Sequence, residues 1–234
     1  MTRTANQLLV NLALLLGVMT AVPLPAADNT YSAAEQKLFL DNHLKNIKQS
    51  ATLTYDYRKL GSLEEGFQDK VLLAVKTKAG SKDKSVDVTY LSGDRRLSLP
   101  ATESAEGNPV ILYFLEKDVR DMHRRTGGQE SYFRKRIRMA FAEAADVRAV
   151  TLKLGGRNIT GTEVRIQPYL DDPMKARFQK FEKKAYVFTL SDEVPGGVYQ
   201  LRSRVDDPGA AAAGSEAQNA PLMEEILTFS KQGE

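Results

Sequence analysis

The sequence contains no cysteine and only two histidines, His43 and His123, in 234 residues. The first absence removes thiol nucleophiles, disulfides, thiolate metal sites and the lipobox cysteine of a bacterial lipoprotein. The second leaves little imidazole for metal binding, because neither histidine has a histidine partner four residues along a helix. No metal site and no cofactor are expected. Also missing are a G-x-S-x-G nucleophile elbow and a Gly-Lys-Ser/Thr phosphate loop; the glycine-containing GGRNITG at 155–161 has no such ending. The paired carboxylates, such as Asp171–Asp172 and Glu224–Glu225, are adjacent in sequence, which does not converge two groups on a substrate. A non-enzymatic protein is therefore expected.

Large charge of one sign is missing too. The chain holds 33 Lys+Arg against 30 Asp+Glu. A general nucleic-acid binder would carry a larger basic excess, so no nucleic-acid partner is expected.

The N-terminus has the pattern of an export signal. Arg3 is followed by LLVNLALLLGVMTAV at 8–22 and then by PLPAAD. The run is interrupted by Asn11 and meets Pro23, whereas spanning a bilayer takes about 20 apolar residues. The expectation is a signal peptide over 1–27, cleaved near Ala26 or Ala27, a periplasmic mature chain, and no integral membrane segment after its removal. A mature chain from residue 28 to 234 keeps 32 basic and 30 acidic side chains, a formal +2, and can bury its own core without disulfides. One domain is expected.

Along that chain, SAAEQKLFLDNHLKNIKQ (32–49) opens with the S-x-x-E capping box of Ser32 and Glu35 and reads as a helix. Strand alternation follows in 52–58, 66–76 and 86–90, and SGD (92–94) turns the chain into a fourth strand at 95–100. Asn108 and Pro109 then start a helix with Ile111, Leu115, Val119 and Met122 at helical spacing. Gly127–Gly128 breaks it, and a second helix carries Phe133, Ile137, Ala140 and Phe141 on one stripe. Strands are expected again at 147–154, 162–170, 185–190, 197–205 and 224–230. PGAAAAGSEAQNAP is low in complexity, and a mobile loop is expected at about 206–221.

The hairpin at 109–145 is strongly basic. Arg124, Arg125, Arg134, Lys135 and Arg138 are candidates for docking anionic head groups or an acidic envelope protein; the competing reading is a solvated face with local ion pairs. Its aromatic residues either fill a core or line a cavity.

A leader, a capped helix and LKNIKQSATLTYDYRKLGSLEEGFQDKVLLAVK as strands together resemble the LolA/LolB-like periplasmic lipoprotein-carrier superfamily. The resemblance implies an α+β fold: a curved antiparallel half-barrel, an N-terminal helix, and a helical-hairpin lid inserted between two runs of strands. It further implies a carrier or sensor that holds a lipid or acylated protein between the concave sheet and the lid. Candidate cavity residues are then Tyr55, Tyr57, Phe67, Leu112, Phe114, Phe133 and Ile137. The alternative is a regulatory module that docks an acidic partner through the hairpin.

Overall fold

The structure, a computed structural model, describes residues 31–77, 83–100, 102–206 and 221–233. The expected leader, and the expected loop at 206–221 apart from its two end residues, lie outside the described residues. Eight strands form one antiparallel sheet: β1 (Ala51–Leu60), β2 (Phe67–Thr77), β3 (Lys84–Tyr90), β4 (Asp146–Leu154), β5 (Arg157–Ile166), β6 (Ala185–Leu190), β7 (Val198–Asp206) and β8 (Pro221–Gly233). Their spatial order is β3-β2-β1-β8-β7-β6-β5-β4. The last strand therefore closes against the first, and Tyr55 of β1 sits between Val71 of β2 and Phe229 of β8.

Two helices sit between the two runs of strands in sequence, α2 (Val110–Thr126) and α3 (Glu130–Glu143). Gly127 ends α2 at φ 70°, in the left-handed region, with its amide bonded to the His123 carbonyl. A side chain at Gly128 would collide with the Phe133 ring, so the corner is tight as well as permissive. The Asn108 side-chain carbonyl accepts from the Val110 amide at 3.1 Å and so helps to start α2.

The curl of the sheet follows from where α2 touches it. Tyr113 stacks on Tyr90 of β3, with centroids 5.6 Å apart, while the next residue, Phe114, meets Phe188 of β6 at 6.5 Å. Five strand spacings separate β3 from β6, about 24 Å in a flat sheet at roughly 4.8 Å per strand. A helix is only about 10 Å across. Neighbouring residues on one helix reach both strands only if the sheet wraps around it. The concave face is filled from the other helix too: Phe141 lies 5.3 Å from Phe188, and Phe133 lies 5.8 Å from Tyr169. This is the expected α+β architecture, an open curled sheet with helices against its hollow side.

Several boundaries differ from the expectation, each for a hydrogen-bonding reason. The N-terminal helix breaks into α1 (Ala33–Glu35), a π turn (Gln36–Leu40) and a 3-10 turn (His43–Asn46). Its capping box forms, but the Lys37 carbonyl goes to the His43 ring and the Asp41 amide reaches back to Gln36. The strand expected at 95–100 is absent. Gly93–Arg95 forms a 3-10 turn, and both backbone polar groups of Leu99 are taken by the Tyr113 hydroxyl. Isolated bridges, Tyr90 to Leu97 and Val86 to Thr102, cover the β3 edge instead, so three strands precede the hairpin, not four. The GGRNITG turn shrinks to Gly155–Gly156, because β5 already begins at Arg157 and then ends at Ile166. Residues 174–184 make two 3-10 turns that bury Phe178 and Phe181.

Phe188→Ala should lower the unfolding free energy by about 3–5 kcal/mol, the usual cost of emptying a buried phenyl site. Leu112→Ala, at an exposed position, should change it by less than about 0.5 kcal/mol. Urea denaturation compares the two, and equal losses would contradict this burial pattern.

Candidate functional site

Most of the side chains that the sequence marks as cavity candidates are interlocked. Tyr55, Tyr57, Phe114, Phe133 and Ile137 are all buried. The Tyr55 hydroxyl accepts from the Asn108 carboxamide at 2.8 Å, and Tyr57 packs on Phe67 and Tyr90. Phe67 is half-buried beneath the Arg95 guanidinium, 4.3 Å from its ring centre. Leu112 is exposed.

Beneath α2 the apolar interface is interrupted by charge. Lys59 of β1 and Lys117 of α2 each contact both Glu225 of β8 and Asp121 of α2, at 2.8–3.2 Å. The two lysines and two carboxylates form an alternating ring, with Glu64 joined to Lys59 at its outer edge. Lys59 falls on the inward face because it continues the period-two register of Tyr55 and Tyr57. One residue along α2, Asp118 turns to the other half of the sheet, where it pairs with fully buried Lys184 and accepts from the Tyr186 hydroxyl at 2.5 Å. Burial alone would raise the Asp121 and Glu225 carboxyls, but Lys117 and Lys59 outweigh it and hold both below the ordinary carboxylate range.

Cavities open around the margins of this interface. One of about 400 Å³ is lined by Glu35 and Phe39 of the N-terminal segment, by Leu99, by Leu112, Leu115, Glu116 and Val119 of α2, and by Arg134, Ile137, Arg138 and Phe141 of α3. No strand residue lines it, so it runs along the hairpin outside the sheet–helix interface. Of the seven cavity candidates, Leu112 and Ile137 meet here, Phe67 lines a second cavity of about 550 Å³ whose wall is mostly charged, and Phe133 lines a third of about 410 Å³ at the hairpin corner. Sequence reasoning missed Phe39, Leu99, Leu115 and Val119 as groove residues, and left Phe141 open between core and cavity. A usable signal was present: VILYFL at the start of α2 is apolar on every side, as expected of a helix covered on more than one face.

The five basic docking candidates divide. Arg124 contacts Asp121 at 3.1 Å, Arg125 contacts Glu64 at 2.6 Å, and Arg134 is shared between Glu116 and Glu130. Lys135 and Arg138 are exposed and have no ion-pair partner among the described residues.

Of the two histidines, only His43 has both ring nitrogens engaged among the described residues. His43 Nδ1 accepts from the Asn108 amide at 3.1 Å, which makes Nε2 the donor to the Lys37 carbonyl at 2.7 Å. His123 Nδ1 lies 2.7 Å from the Gly128 carbonyl at the hairpin corner. No group of three or more metal-ligating side chains occurs among the described residues. Nor is any helix among them long and apolar enough to cross a membrane.

No protein-family model matches the chain, and no curated protein matches it. Among solved structures it is similar to the Mycobacterium tuberculosis lipoprotein LppX, at 12% identity and a TM-score of 0.32, covering 80% of this chain and 88% of that one. It is also similar to a LolA superfamily protein from Nitrosomonas europaea, at 7% identity and a TM-score of 0.23, covering 87% and 94%. Overlap at those scores carries no argument about activity. The architecture stands on the strand order and on the rings that join α2 to β3 and β6.

Stability should fall with acid in two stages. Burial pushes the His43 imidazole below its ordinary value, so the folded state resists its protonation. The stabilisation is complete above the unfolded histidine value of about 6.5 and is lost as pH drops through it. Asp121 and Glu225 are depressed as well, and their contribution is lost below about pH 4, where unfolded carboxylates take up protons. Urea melts across this range should show both steps, and His43→Gln should remove the first alone. A stability that stays level down to about pH 4 in the unsubstituted protein would contradict the His43 assignment.

Proposed function

We propose that the protein is a non-enzymatic periplasmic carrier or sensor of an amphiphile, a lipid or an acylated protein, which lays one apolar chain in the groove between α2, α3 and Phe39. The observation that carries the reading is the groove itself: about 400 Å³ walled by Phe39, Leu99, Leu112, Leu115, Val119, Ile137 and Phe141, with Glu35, Glu116, Arg134 and Arg138 completing the lining. Its volume lies in the range of ligand pockets, about 300–1,000 Å³.

The magnitudes favour this groove over the space between sheet and helices. Burying ten methylenes yields about 8 kcal/mol at roughly 0.8 kcal/mol each, which corresponds to a dissociation constant of about 1 μM. Lifting α2 off the sheet would strand Glu225, Asp118 and Lys184 in a low-dielectric site, and breaking one such buried pair costs about 3–5 kcal/mol. Two such sites and the aromatic packing together outweigh one acyl chain. Binding in the groove leaves both intact.

The alternative, docking of an acidic partner by the hairpin, draws on fewer free charges than the sequence offers, because Arg124, Arg125 and Arg134 already hold carboxylates.

A fluorescent fatty acid titrated into purified protein should bind at micromolar concentration. Leu112→Glu puts a carboxylate in the groove from an exposed position; it should weaken binding by about tenfold or more while leaving the thermal midpoint nearly unchanged. Undiminished binding by the variant, or none by the unsubstituted protein, would overturn the proposal.

A further inference from the structure

Large apolar side chains exposed on the described surface are few, and they are unevenly spread. They are Tyr31, Phe39, Leu40, Leu72, Leu112 and Leu170, between 37% and 60% exposed. Phe39 and Leu112 line the groove, and Leu40 follows Phe39 in the same π turn. Tyr31 precedes Ser32, whose hydroxyl donates to the carbonyl of groove residue Phe141 at 2.8 Å. Two of the six therefore line one opening and two more adjoin it in the chain, and such clustering on a surface marks a contact site.

The groove wall holds two acids and two bases, but α3 beside it is basic, with Arg134, Lys135, Arg136 and Arg138 against Glu130 and Glu143. Arg134 pairs with Glu116 and Glu130, while Glu35, whose carboxylate accepts from the Ser32 amide of the capping box, keeps its negative charge at the groove wall. Lys135 and Arg138 remain without an ion-pair partner, and Glu143 is the remaining exposed acid of α3. Long basic side chains beside exposed leucine, phenylalanine and tyrosine suit the boundary between head groups and acyl chains, where the apolar parts sink and the ammonium and guanidinium groups reach anionic phosphates.

We propose that the groove face is a membrane-docking surface, on which Tyr31, Phe39, Leu40 and Leu112 enter an anionic bilayer while Lys135 and Arg138 hold its phosphates. The inference rests on the amphiphile-binding reading and adds to it the place of loading: a chain passes from the bilayer into the groove without crossing water. A bilayer suits the surface better than a folded acidic protein. The apolar side chains ring an open cleft, which a deformable surface of lipid chains can enter and a rigid convex partner would have to match in shape.

The test uses full-length protein with vesicles of phosphatidylcholine, alone or mixed with phosphatidylglycerol, alongside titration with a soluble fluorescent fatty acid. The protein should sediment with the mixed vesicles about tenfold more than with the neutral ones, and added salt should reduce this difference. Leu40→Glu with Lys135→Glu changes two residues outside the groove wall. The double variant should lose sedimentation yet bind the fatty acid as before. Fatty-acid binding without sedimentation would overturn the docking surface and leave the carrier reading standing; failure of both assays would remove both. Sedimentation unaffected by the double variant would also overturn the proposal. So would indifference to vesicles combined with retention on an acidic polypeptide resin that Lys135→Glu abolishes, which would assign the surface to a protein partner.

Discussion

The wrapping of one antiparallel sheet around a single helix is the constraint from which the other features follow. Tyr113 and Phe114 are neighbours in sequence, yet they pack on strands that stand five positions apart in the sheet. Because α2 occupies the hollow with large rings, the sheet keeps its curvature, and the space left between the two on the β1–β2 side is a cavity bordered by Lys59, Phe67, Lys117 and Asp121. A groove with a mostly apolar wall lies outward of α2, at its seam with α3 and the N-terminal segment.

Charge placement under α2 reinforces that division. Consecutive residues Lys117 and Asp118 face opposite halves of the sheet, one toward Glu225 of β8 and the other toward Tyr186 of β6 and Lys184 just before it. Buried pairs of this kind contribute little net stability against apolar replacements, since desolvation offsets the Coulombic gain, but each is costly to break. Their effect is to fix the register of α2 along the sheet and to penalise its departure. The same segment is tied at its start, where Asn108 joins the His43 ring, the Tyr55 hydroxyl and the Gly196 carbonyl.

Much of this architecture is legible in the sequence. Alternation in TLTYDYR and AYVFTL gives the strands, and Asn108, Gly127 and the 3–4 spacing of apolar residues give the hairpin. Resemblance of element order to the LolA/LolB-like superfamily supplies the curvature, which periodicity cannot. The misreadings share a cause. At Leu99 and Lys37 the backbone partners are the Tyr113 hydroxyl and the His43 ring, and a side chain arriving from far along the chain leaves no local pattern. The groove was half visible. Leu112 and Ile137 were candidates, but Phe39 and Leu99 join them only through tertiary packing. Lys59 lies one residue past the strand expected at 52–58, although its parity with Tyr55 and Tyr57 points it inward.

The central claim is that α2 stays seated in the sheet while a ligand occupies the groove. The absence of cysteine makes the chain well suited to paired spin labels. Arg120 of α2 and Leu72 of β2 are both exposed, and replacing each by a labelled cysteine reports the distance from helix to sheet. The account predicts one narrow distance distribution that does not move when fatty acid is added to saturation. A second, longer distance that grows with ligand would show the helix lifting, and would contradict it.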